Sequence, residues 1–161
     1  MKNLIVIRHA KSSWDAPLKD IDRPLDNRGI KDAHRIALRA VKHLPKTFLM
    51  FSSTAKRASE TAIIFAQNFL YPIENIVFKE ELYTFDENNL ERIVKSLNNK
   101  YDNVILFGHN EAITNFVNKF GNIFIENVPT SGFVSLKFDS DNWQFIDRGR
   151  TIKTLFPKDL K

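Results

Sequence analysis

The run Leu4-Ile5-Val6-Ile7 constrains this chain most. Four apolar residues, the last three β-branched, continue without a polar break and stop at Arg8-His9. A short, uninterrupted apolar run with polar residues beyond it reads as a strand buried on both faces. Such a strand belongs inside a parallel sheet, and open α/β sheets take ligands at the carboxyl ends of their strands. Arg8 and His9 therefore stand where a site is expected.

The rest of the chain repeats the pattern. Phe48-Leu49-Met50-Phe51 is a second apolar run, closed by Ser52-Ser53-Thr54. Val104-Ile105-Leu106-Phe107 is a third and stops at Gly108-His109-Asn110. Ile76-Val77-Phe78 reads as a shorter strand. Between these runs, apolar residues recur at helical spacing over Ile30–Leu44, Ala58–Phe69, Leu90–Leu97 and Ala112–Phe120. His34 and His43 fall in the first helix and read as surface or boundary side chains. Ser53 or Thr54 is placed to cap the second. Phe133–Phe138 alternates, residues 139–142 have the composition of a turn, and Gln144–Arg148 reads as the returning strand. The tail beyond it is basic and reads as a surface extension. Strands alternating with helices imply a single three-layer α/β/α domain over residues 1–161, with a mostly parallel central sheet and an antiparallel edge strand.

Composition removes several chemistries. The chain has no cysteine, so a thiolate nucleophile, a thiolate metal site and a disulfide framework are excluded. No apolar run approaches the ~20 residues of a membrane span. Met1-Lys2-Asn3 leads straight into the first strand with no leader pattern, so a cytoplasmic protein is expected. The formal net charge of +5 suits an anionic partner, but the lysines are scattered, which argues against nucleic acid. The histidines lack metal-ligand spacing, so neither a metal nor any other cofactor is expected.

Parallel neighbouring strands would bring Arg8, His9 and His109 to one rim. Arg57 lies in the first turn of the second helix, where the macrodipole disfavours a cation, which marks it as a candidate anion ligand. Guanidinium forks match phosphoryl oxygens. A neutral imidazole is a competent nucleophile toward phosphorus, and cations around it depress its pKa. Asp20-Ile21-Asp22 lies in the loop Lys11–Asn27 rather than directly after an apolar strand, so it is not read as a nucleophile pair.

These residues resemble a known family. Arg8-His9-Ala10 is similar to the Arg-His-Gly signature of the histidine phosphatase superfamily, the phosphoglycerate-mutase-like fold, with alanine in place of the commoner glycine. Ser52 to Thr61 resembles its Ser-x-x-x-x-Arg-x-x-x-Thr motif, and Gly108-His109 its late Gly-His. The stretch His9 to Trp14, Arg23-Pro24-Leu25 with Arg28-Gly29, and Thr130-Ser131-Gly132 resemble the small SixA-type phosphohistidine phosphatases. The resemblance implies His9 as nucleophile and a phosphate pocket of Arg8, Arg57 and His109. It adds Arg23 and the backbone N–H of Asn110 as further phosphate contacts. In larger relatives the proton donor is a glutamate after the third strand, a place held here by Glu81, with Glu80 adjacent. The implied activity is metal-independent hydrolysis through a phosphohistidine intermediate, acting on protein phosphohistidine such as a histidine phosphotransfer domain. A small phosphate monoester is the alternative substrate, and a non-catalytic phosphoprotein-binding module is a third reading. No membrane partner is implied, and the chain is expected to act as a monomer.

Overall fold

A computed structural model describes residues 1–160. Its elements in chain order are β1 (Lys2–Arg8), α1 (Asn27–Ala40), β2 (Leu49–Ser53), α2 (Lys56–Phe69), β3 (Val77–Lys79), α3 (Glu87–Lys95), β4 (Asn103–Gly108), α4 (Ala112–Phe120), β5 (Phe133–Phe138) and β6 (Arg150–Leu155). The six strands form one sheet in the order β3-β2-β4-β1-β5-β6. Strands β1 to β4 are mutually parallel, whereas β5 runs antiparallel to both β1 and β6.

The apolar run in β1 is continuous because both faces of the sheet are covered. Leu4 and Val6 pack with Leu90, Ile93 and Val94 of α3 and with Ile113, Phe116 and Val117 of α4. Ile5 and Ile7 point the other way, among Ala33, Ile36 and Ala37 of α1 and Ala62, Phe65 and Ala66 of α2. β4 repeats the split, with Val104 and Leu106 on one face and Ile105 and Phe107 on the other. The period of two that a half-buried strand would show is present in direction, but both sets of side chains are apolar.

Two expectations fail at the C-terminal end. Gln144–Arg148 is not the returning strand: Trp143–Phe145 is a short 3-10 turn, and the strand is Arg150–Leu155. Trp143 is fully buried and its indole donates to the Tyr101 carbonyl at 2.7 Å, which ties this segment to the core beneath α3 rather than to β5. The basic tail is not a surface extension either. It forms edge strand β6, and Phe156 and Leu160 beyond it are buried in the two cores. Polar Arg150, Thr151, Lys153 and Thr154 hide the strand in the sequence because an edge strand keeps much of its surface in water. The cap of α2 also differs. Ala55 occupies the N-cap position without a side-chain cap, while Ser53 in β2 accepts from the Ala55 N–H at 3.1 Å.

The parallel register delivers the site. Arg8 pairs with Gly108, and the His9 N–H donates to the Gly108 carbonyl at 3.0 Å. His9 and His109 thus leave adjacent strands at the same level. α1 closes on the segment just after His9: a Cβ on Gly29 would lie 2.1 Å from the Lys11 carbonyl oxygen, so only glycine lets this backbone approach.

Candidate active site

Beyond the ends of β1 and β4 the rings of His9 and His109 lie 5.2 Å apart, and both are buried. His9 Nδ1 is 2.7 Å from the carbonyl oxygen of Ala10. A carbonyl only accepts, so Nδ1 carries the proton and the lone pair of the neutral ring is on Nε2. Arg57 Nε stands 3.4 Å from that Nε2. Thr61, one turn further along α2, accepts from the Ala10 N–H at 2.9 Å and donates to the Arg57 carbonyl at 2.7 Å. The strand bearing the imidazole and the helix bearing the guanidinium are thereby fixed to each other.

The electrostatics favour neutral imidazoles. Burial pushes the His9 pKa down to about 4; the hydrogen bond to the Ala10 carbonyl works against it, and the charges of Arg57, Arg8 and Arg23 lower it further. Burial, His9 and Arg57 push His109 down to about 3. At neutral pH His9 Nε2 is unprotonated. His109 Nε2 contacts Ser53 Oγ at 2.8 Å. Tyr83 and Phe85 pack edge-on against the His109 ring, with centroids 5.3 and 5.5 Å away.

The expected residues do not all converge. Arg8, His9, Arg57 and His109 come together. Arg8 donates through NH1 to the Val128 carbonyl at 2.9 Å, while its buried Nε has no partner. Arg23 joins through Asp20, donating Nε and NH2 to Oδ1 at 3.3 and 3.2 Å. Its NH1 reaches Ser12 Oγ at 2.7 Å, and its guanidinium stacks 3.5 Å above the Trp14 ring. The contact expected of Asn110 is through its backbone N–H; its side-chain amide donates to Asn127 Oδ1 at 2.8 Å, and its side-chain oxygen accepts from Thr114.

Glu81 does not reach the histidines. It is exposed and lines a separate groove with Lys79, Asn98 and Tyr101, on the far side of the turn Glu80–Leu82. Glu80 is likewise exposed. The turn sends Leu82 into the core and Tyr83 to the site instead.

Sequence reasoning missed Asp20. Arg57 NH2 donates to its Oδ2 at 3.0 Å and Arg57 NH1 to its main-chain oxygen at 2.7 Å. The Tyr83 hydroxyl donates to the same Oδ2. Partial desolvation works to raise the Asp20 pKa, but the hydrogen bonds from Tyr83, Arg57 and Arg23, with the charge of Arg57, bring it down to about 2. The signal in the sequence was the pairing of Asp20 with Arg23 inside an otherwise patternless loop. Ser53 and Tyr83 were also missed, because only the fold brings them to the rim.

Among the described residues, three buried side-chain atoms have no hydrogen-bond partner: Arg8 Nε, His109 Nδ1 and Ser131 Oγ. Buried polar atoms are nearly always satisfied, so Arg8 Nε and His109 Nδ1 are polar groups at the site with hydrogen-bonding capacity left over. Among the described residues no group of three or more histidine, aspartate or glutamate side chains is placed to hold a metal ion. Among the described residues no helix is long and apolar enough to cross a membrane.

The model of the histidine phosphatase superfamily (branch 1) matches residues 4–83, the segment carrying Arg8-His9 and Arg57. A protein of Agrobacterium tumefaciens assigned as the phosphohistidine phosphatase SixA is similar over 96% of this chain and 97% of its own, at 27% identity and a TM-score of 0.77. This chain belongs to the histidine phosphatase superfamily. Within it the fold is SixA-like. The protein histidine phosphatase SixA solved with tungstate covers 99% of both chains at 20% identity, with a TM-score of 0.78. A mycobacterial glucosyl-3-phosphoglycerate phosphatase shares the fold at 14% identity over 95% of this chain and 98% of its own, with a TM-score of 0.71. An uncharacterized chloroplastic protein of Arabidopsis thaliana is 46% identical over 63 residues, which span 37% of this chain but 28% of that protein.

Proposed function

We propose that this histidine phosphatase superfamily member is a phosphatase that works through a phosphohistidine at His9 and takes its phosphoryl group from protein phosphohistidine. The observation that carries the chemistry is the His9 ring: Nδ1 is tied to the Ala10 carbonyl, and a buried, unprotonated Nε2 faces Arg57. Nε2 attacks phosphorus, the P–N or P–O bond to the leaving group breaks, and water then displaces His9. Arg8, Arg57 and His109 hold the phosphoryl oxygens. Charge spread over those oxygens in the transition state is what guanidinium groups stabilise best. If the Ser53 hydroxyl donates to His109 Nε2, the proton sits on Nδ1, the orphaned donor.

Entering oxygens compete with Asp20 for Arg57, so Asp20 acts as the internal stand-in for the anion. Asp20, and not Glu81, is the carboxyl group at the pocket. A phosphoramidate needs little help from an acid, because imidazole leaves more readily than an alkoxide. That favours phosphohistidine over a monoester in a site whose expected glutamate points elsewhere. The SixA-like fold over the full chain supports the same substrate.

The test compares wild-type kcat/KM, with chelator present, on a phosphohistidine-bearing phosphotransfer domain and on a panel of small phosphate monoesters. Preference for the protein by about tenfold or more is expected. Equal or better rates on the monoesters remove the protein substrate, and dependence on added metal removes the mechanism.

A further inference from the structure

A groove of about 470 Å³ lies between the start of α1 and the C-terminal tail that follows β6. Its lining includes Lys11 and Thr130, which the chain places close to the site. Lys11 follows Ala10, whose carbonyl holds the His9 ring, and Thr130 precedes Ser131, whose N–H donates to the carbonyls of Arg8 and His9 at 3.1 Å. Arg28 of α1 and Lys158 of the tail line the outer part, over an apolar floor that includes Pro129 and Phe156.

We propose that this groove is a docking subsite for an acidic stretch of the phosphorylated polypeptide, flanking the residue whose phosphoryl group enters the pocket. The proposal rests on the protein-substrate reading above. Lys11, Arg28 and Lys158 are all exposed, and the one carboxylate among the lining residues, Asp32, is shared between Arg28 at 3.8 Å and Arg35 at 3.6 Å. The local balance is therefore positive. None of the orphaned buried polar atoms belongs to a lining residue, so the groove lacks the convergent buried donors that would orient a small ligand. Exposed cations over an apolar floor suit carboxylates on a flexible chain, whose contacts are individually weak and act together by steering.

The test uses two phosphohistidine peptides that differ only in three flanking residues, all glutamate or all glutamine. Wild type is expected to show kcat/KM about tenfold higher on the glutamate peptide at low salt, expressed in KM, with the preference shrinking as salt rises. The double variant Arg28→Glu, Lys158→Glu is expected to lose or reverse the preference while hydrolysing an aryl phosphate at the wild-type rate. Wild type that turns over both peptides equally overturns the groove alone, as does a variant that keeps the preference. A parallel loss on the aryl phosphate assigns these residues to supporting the pocket and also overturns docking. No turnover of either peptide by wild type, with aryl phosphate hydrolysed, overturns the protein-substrate reading and the groove with it.

Discussion

At the scale of single residues, the chemistry depends on where one proton sits. The 2.7 Å contact to the Ala10 carbonyl keeps it on His9 Nδ1, and burial keeps a second proton off Nε2. The histidine pKa is lowered, so the nucleophile is present above the folded value and lost as pH falls through it. The acid limb of kcat/KM is therefore expected near pH 4 rather than at the ordinary histidine value of about 6.5. A pH–rate profile on an aryl phosphate checks this; an acid limb at 6 or above would mean that His9 is solvated in solution. Asp20 gives a second readout. Its carboxylate holds Arg57 and Arg23, so Asp20→Asn removes an anion that phosphate must displace. Inhibition by vanadate is expected to tighten about threefold, the scale of one partly exposed ion pair. Weaker inhibition would show that Asp20 supports the pocket rather than occupying it. Arg8, His9, Arg57 and His109 were legible in the sequence because each follows a strong apolar run or opens a helix. Asp20 and Tyr83 were not, since their positions depend on how two irregular segments fold over the rim.

At the scale of elements, apolar periodicity located strands β1, β2 and β4 and all four helices to within a few residues. It failed where an element is polar on most of its surface. β6 carries Arg150, Thr151, Lys153 and Thr154, and its antiparallel backbone pairing with β5, not its own apolar pattern, makes it a strand. The preceding Gln144–Arg148 looked more strand-like, but Trp143 inserts into the core and turns the chain there. The buried tail has a measurable consequence. Leu160 packs with the α1 face of the core and is 7% exposed, so Leu160→Ala is expected to cost about 2–3 kcal/mol in urea unfolding. A change within about 0.5 kcal/mol would return the tail to the status of a surface extension. Glu81 shows the opposite limit: its place in chain order was read correctly, but a single 3-10 turn decides which of Glu80, Glu81 and Tyr83 faces the site.

At the scale of the whole molecule, the strand order sets the function. β4 pairs with β1 on one edge and β2 on the other, so His9, His109 and the start of α2 are brought to one rim by two parallel ladders. The helices on both faces bury the central strands β1, β2 and β4, and the loop Lys11–Asp26 closes the rim with Asp20 and Arg23. The central claim is that the phosphoryl group passes through His9. The direct measurement is rapid acid-free quenching of the enzyme with an aryl phosphate and chelator, followed by peptide mass spectrometry. The peptide containing His9 is expected to carry one phosphoryl group that is lost in acid and retained in base, and His9→Ala is expected to show neither label nor turnover. Steady turnover by the wild type with no label on His9, or by His9→Ala, would contradict the account.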